Sequence, residues 1–125
     1  MRLLIKFMGK KILFVDDEED IRFVVRVMLE KAGYDVRIEP DGTFMQRIAE
    51  DGYPDMYILD RQLAGTDALD ICRELKQNIN TKHIPIIMVS ADPNIQNLYK
   101  DAGADAFIPK PFLIKAFLDK VSSFI

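Results

Sequence analysis

The 125-residue chain has room for one domain with its own core, without help from disulfides or a structural metal. A net charge of −3 argues against a nucleic-acid-binding face, and the one cysteine, Cys72, excludes an internal disulfide or a paired-cysteine metal site. No apolar run approaches the roughly 20 residues of a membrane span, and these totals fit a reducing cytoplasm.

Residues 1–9, MRLLIKFMG, are apolar with basic flanks but have neither a long hydrophobic stretch nor a small-residue cleavage site. They read as a short N-terminal extension or a mis-assigned start, with the folded domain running from residue 10 to 125. Lys11–Val15 is a short apolar strand. Asp20–Ala32 is a helix, with Ile21, Val24, Val25, Met28, Leu29 and Ala32 predicted on its inward face. Phe23 and Val27 lie off that face, either partly covered or part of a partner surface. Gly33 follows as the helix stop. Asp35–Ile38 is a second strand and Thr43–Glu50 a short helix. Met56–Asp60 (MYILD) is an apolar strand ending in an acid. Ala68–Gln77 is a helix with Leu69, Cys72 and Leu75 inward, which makes Cys72 a small core residue. His83 falls in a loop, where a solvated side chain is expected. Ile84–Ser90 (IPIIMVS) is apolar throughout, as in a strand covered on both faces. Ile95–Ala102 is a short helix and Ala106–Ile108 a short strand. Leu113–Phe124 closes the chain as a helix, with Leu113, Phe117, Val121 and Phe124 predicted inward and Ile114 and Leu118 beside them.

Five strand–helix units of this kind imply an α/β fold with a parallel sheet between two helical layers. Right-handed crossovers favour the flavodoxin-like order 2-1-3-4-5, with the ligand crevice at the carboxyl ends of the strands. In that order the ends of strands one, three, four and five lie side by side. They carry Asp16 and Asp17, then Asp60, then Ser90, then Lys110.

Three carboxylates about 5 Å apart repel by about 3 kcal/mol per pair at an effective dielectric near 20. Either a cation joins them or one takes up a proton. Hard oxygen ligands in a small site suit Mg²⁺, with Mn²⁺ as the substitute. Mg²⁺, the Lys110 ammonium and the Ser90 hydroxyl could each meet one phosphoryl oxygen, so the set suits phosphoryl transfer to a carboxylate nucleophile. Any one of these residues alone would be unremarkable, as a helix cap, a loop hydroxyl or a solvated lysine. Their convergence carries the functional reading. Glu18, Glu19 and Asp20 belong instead to the start of the first helix, where the positive end of its dipole favours them.

The segments ILFVDDEE, PDMYILDRQLAGTDALDICRELK, IPIIMVSAD and AGADAFIPKPF together resemble the receiver domain of two-component response regulators, in order and spacing, from Lys10 to the end. The resemblance implies that Asp60 accepts a phosphoryl group from a phosphohistidine on a sensor histidine kinase or histidine phosphotransfer protein. It implies Asp17 as a direct Mg²⁺ ligand, Asp16 acting mainly through water, and a further ligand from the Gln62 backbone carbonyl. Ser90 would move toward the phosphoryl group, Phe107 would turn inward with it, and Lys110 would hold a phosphate oxygen. A cis peptide is implied before Pro111.

Such a chain is a phosphorylation-controlled switch rather than a turnover enzyme. It would act through a downstream protein or a homodimer, with no nucleic-acid or membrane contact of its own. The chain stops after the fifth helix, as in a free-standing receiver or a fragment of a larger regulator or hybrid kinase. Ala64 and Ala68 stand where relatives carry Pro and Gly, so a looser or repositioned loop is expected after Asp60. The stretch from Ser90 to Gly103 is shorter than usual, and Gln62 and Asp92 flank the phosphoryl site where relatives tune phosphoryl lifetime. Two alternatives are a degenerate receiver used only for docking and a haloacid-dehalogenase-type aspartyl-phosphate phosphatase. The latter needs Asp-x-Asp after the first strand, but Glu18 stands two residues after Asp16.

Overall fold

The computed structural model describes residues 9–125, so the predicted extension lies almost wholly outside the described residues. Five parallel strands form the sheet: β1 (Lys11–Val15), β2 (Asp35–Glu39), β3 (Met56–Asp60), β4 (Ile86–Ser90) and β5 (Ala106–Pro109). Their order is β2-β1-β3-β4-β5, as the sequence predicts. The connections carry α1 (Glu19–Lys31), α2 (Ile48–Asp51), α3 (Ala68–Gln77) and α4 (Ile95–Leu98), and α5 (Ile114–Ser122) closes the chain.

Strand alternation divides the core into two layers. Leu13, Val15, Tyr57, Leu59, Ile86 and Met88 pack with Leu69, Cys72 and Leu75 of α3. Ile12, Phe14, Met56, Ile58, Ile87 and Val89 pack with Val25, Met28 and Leu29 of α1 and with Phe117 and Val121 of α5. Both faces of the three central strands are therefore apolar, which explains their unbroken hydrophobic runs. Cys72 is fully buried, as expected of a core residue, and His83 is exposed.

Several boundaries differ from the sequence reading. β4 starts at Ile86, because Pro85 has no N–H to give the ladder, although its carbonyl still accepts from Tyr57 N at 3.0 Å. The segment after β2 opens as a 3₁₀ turn over Gly42–Arg47 before α2. There Asp41 Oδ1 accepts from the Thr43 amide at 2.9 Å and from its hydroxyl at 2.6 Å. α4 has only one turn. Beyond it, bonds from Gly103 N to Lys100 O (2.9 Å) and from Ala104 N to Tyr99 O (3.0 Å) close the segment, with Gly103 at φ +89°.

The helical faces are narrower than predicted. On α1, Val24 is 56% exposed, as are Phe23 and Val27 to 66% and 38%. On α5, Phe117 and Val121 are buried, but Leu113, Ile114 and Phe124 face solvent. The sheet covers only the central stripe of each helix, and the flanking apolar positions of α1 and α5 line an open groove between the two.

Candidate functional site

The carboxyl end of the sheet places the predicted groups by strand register. Asp16 and Asp17 directly follow β1, and Asp60 is the last residue of β3. By alternation, Asp16, Asp60 and Lys110 continue the rows of Phe14, Ile58 and Ile108, on the α1/α5 side of the sheet. Ser90 and Phe107 belong to the rows facing α3, and Phe107 packs against that core.

Asp16, Asp17 and Asp60 each present a carboxylate oxygen to a common point, all within 4.8 Å of one another. Asp16 and Asp60 are buried and Asp17 is exposed at the rim. Lys110 Nζ lies 3.1 Å from Asp16 Oδ2 and 3.3 Å from Asp60 Oδ2. The Lys110–Pro111 peptide is cis, as the resemblance implies. The loop is tied down on both sides: Asp16 Oδ1 accepts from Glu18 N at 2.9 Å, and Arg22 donates to the Asp16 carbonyl at 2.7 Å. Glu19 and Asp20 fall in the first turn of α1, as predicted from its dipole.

The electrostatics follow from this packing. Burial pushes the Asp60 carboxyl up to about 6, and the negative charge of Asp16 adds to the rise while Lys110 opposes it. For Lys110, burial favours the neutral amine, but Asp60 and Asp16 outweigh it and the net shift is upward. Three carboxylates facing one ammonium leave a surplus of negative charge. Hard oxygen donors with that surplus suit a divalent cation of the Mg²⁺ type.

Ser90 is buried at the end of β4, but its Oγ accepts from the Asp92 amide at 2.9 Å. Phe107 stacks on Tyr99, with ring centroids 4.9 Å apart. These two predicted switch residues are thus engaged with partners outside the acidic cluster. Gln62 is exposed and opens a hairpin in which Gln62–Leu63 pairs with Thr66–Asp67 across Gly65, at φ +73°. The loop after Asp60 is therefore closed by hydrogen bonds rather than loose. Ala68 is fully buried there, and its amide bonds the Arg61 carbonyl at 3.0 Å.

A family model described as the response regulator receiver domain matches residues 12–122. The chain belongs to the response regulator receiver domain family. It is 42% identical over 108 residues to the phosphate regulon transcriptional regulatory protein PhoB of Pseudomonas aeruginosa, covering 83% of this chain and 46% of that protein. The chain spans about half the length of the curated relatives it matches. Its fold is similar to that of the chemotaxis response regulator CheY4 of Vibrio cholerae, with a TM-score of 0.85 at 26% identity, covering 94% of this chain and 99% of that one. It is also similar to the response regulator TrrA of Thermotoga maritima, solved in complex with Mg(2+)-BeF. That match has a TM-score of 0.83 at 27% identity, over 93% of this chain and 99% of the other. The chain is thus a receiver domain of two-component signalling, and its acidic pocket is consistent with Mg²⁺-dependent phosphoacceptor chemistry.

Sequence reasoning missed Arg61. Its guanidinium bonds the Asp92 carboxylate and also approaches Asp67 Oδ2 at 3.6 Å. Asp92 is 31 positions away along the chain, and nothing in the local sequence pairs the two residues.

Proposed function

We propose that Asp60 is the phosphoacceptor of this receiver and that Asp16, Asp17 and the Gln62 carbonyl hold the divalent cation. The observation that carries the reading is the cluster itself: three acids at two adjacent strand ends, neutralised in part by Lys110. With a pKa of about 6, Asp60 is mostly ionised at neutral pH and free to act as a nucleophile. An Asp60 oxygen attacks the phosphorus of a phosphohistidine. The P–N bond breaks, and the imidazole leaves with the bonding pair and takes up a proton. Bound Mg²⁺, or Mn²⁺ in its place, would offset the charge of the transferring phosphoryl oxygens. Lys110 then exchanges a carboxylate for a phosphoryl oxygen.

The acyl phosphate adds about two negative charges beside Ser90. Ser90 gives up the Asp92 amide to donate to a phosphoryl oxygen, and Phe107 follows into the vacated space. The product is a changed surface rather than a released molecule, so the chain acts as a switch without turning over an external substrate. The donor is a sensor histidine kinase or a histidine phosphotransfer protein. Exposed Phe23, Val24 and Ile114 support protein contacts, with a downstream protein or a second copy reading the switched state. A net charge of −3 supports protein rather than nucleic acid as the partner of the receiver itself. No helix among the described residues is long and apolar enough to cross a membrane, and we place the receiver in the cytoplasm.

The test uses acetyl phosphate and Mg²⁺ with intact-mass detection. Wild type should gain one phosphoryl group and Asp60→Asn none. No gain in wild type would overturn the reading and favour a docking module.

A further inference from the structure

The β3–α3 and β4–α4 loops are joined by a continuous chain of polar contacts that leads to Ser90. The backbone of Arg61 is fixed at both ends: its amide donates to Val89 O at 2.9 Å, and its carbonyl accepts from Ala68 N at 3.0 Å. From this anchored position the half-buried guanidinium pairs with Asp92 Oδ2 and reaches Asp67 Oδ2 at 3.6 Å. Both acids are themselves occupied. Asp67 Oδ1 caps α3 through Leu69 N at 2.9 Å. Asp92 Oδ1 accepts from Asn94 N at 2.9 Å, while the Asp92 amide donates to Ser90 Oγ at 2.9 Å. Asp92 is thus held at both carboxylate oxygens and at its amide, and the Arg61 guanidinium bridges the two loops through Asp67 and Asp92.

We propose that Arg61 is a positioning residue that clamps Asp92 and thereby keeps the Ser90 hydroxyl on the Asp92 amide until the phosphoryl group arrives. The inference rests on the phosphoacceptor reading of Asp60. With the clamp intact, the loop conformation that brings Ser90 to the phosphoryl group is a minor population. Breaking the clamp raises that population and speeds uptake from a small donor. A simple field effect predicts something different. Removing the positive charge of Arg61 would slow the approach of an anionic donor, and removing the negative charge of Asp92 would speed it. Clamp loss has the same sign in both variants.

Wild type, Arg61→Gln, Asp92→Asn, the double variant and Arg61→Lys are compared in two measurements. One is the rate of phosphoryl uptake from acetyl phosphate with Mg²⁺. The other is amide hydrogen exchange at Asp92 and Asn94 before any donor is added. Both single variants should take up phosphoryl about 3- to 10-fold faster than wild type, and the double variant no faster than either single one. Exchange at the two amides should rise by about the same factor, and Arg61→Lys should fall between wild type and Arg61→Gln. Opposite changes in the two single variants, or unchanged rates and exchange, would overturn the clamp and leave the phosphoacceptor reading standing. If wild type takes up no phosphoryl group, that reading fails first, and the switching role of Arg61 with it.

Discussion

The acidic pocket and the Ser90 arm share one edge of the sheet, yet they are built differently. In the pocket, Asp16, Asp60 and Lys110 already touch, held by rows of side chains that continue from the α1/α5 layer of the core. On the other side of the strands, Ser90 and Phe107 are engaged elsewhere, with the Asp92 amide and the Tyr99 ring. One region is assembled in advance and stores electrostatic repulsion. The other is engaged by ordinary hydrogen bonds and ring packing, and the proposed function makes it a lever. Under the proposed function, a phosphoryl group added to the first would move the second without rebuilding the site.

Lys110→Ala attacks the assembled side most strongly. With the ammonium gone, phosphoryl uptake should fall about 10- to 100-fold in a timed mass assay. The Asp60 titration, followed by carboxyl-carbon NMR, should move further upward because the opposing charge is lost.

Repulsion stored in the pocket should also appear as an inverted pH dependence. The folded pKa of Asp60 is raised above its unfolded value, so the native state binds more protons between the two. Stability from this group is full below the unfolded value of 3.8 and is lost as pH rises through about 6. Without divalent cations, urea denaturation should find wild type about 3 kcal/mol less stable at pH 7 than this group would leave it at low pH. Asp60→Asn should remove that slope and be more stable than wild type at pH 7. Equal slopes in both proteins would mean that the pocket is not under strain.

Asp17→Asn makes a smaller change at the exposed rim. Mg²⁺ binding, measured by titration calorimetry, should weaken about tenfold. The Asp60 titration should move down, because one repelling charge is gone.

The smallest effect tests the packing that supports both regions. Val25→Ala should cost about 2 kcal/mol in denaturant unfolding, whereas Val24→Ala, on the exposed flank of the same helix, should change stability by less than about 0.5 kcal/mol.

Much of this was readable from the chain. The β1 and β3 boundaries follow directly from apolar runs that end in Asp16 and Asp60, the α3 boundaries from the helical spacing of Leu69, Cys72 and Leu75, and strand order brings the acids to Lys110. The two-residue alternation of the strands also separates Ser90 and Phe107 from the carboxylates. That division was present in the sequence but becomes evident only once both faces of the sheet are assigned. Val24, Leu113 and Phe124 misled because helical spacing marks an apolar stripe without telling how much of its width the sheet will cover. Apolar content extends back to Ile84 and suggests an earlier start to β4, but Pro85 interrupts the donors and the strand begins at Ile86. The Arg61–Asp92 pair was out of reach because it depends on two loops meeting in space, and each residue alone looks like an ordinary surface charge.

Phosphorylation in the assembled pocket should release Ser90 and Phe107 from their present partners. NMR of the isotopically labelled chain, before and after acetyl phosphate with Mg²⁺, tests it most directly. Modification of Asp60 should displace the Asp92 amide resonance as Ser90 leaves it, and change the Phe107 ring signals in step. Full phosphorylation with the Asp92 amide and Phe107 ring unmoved would contradict it.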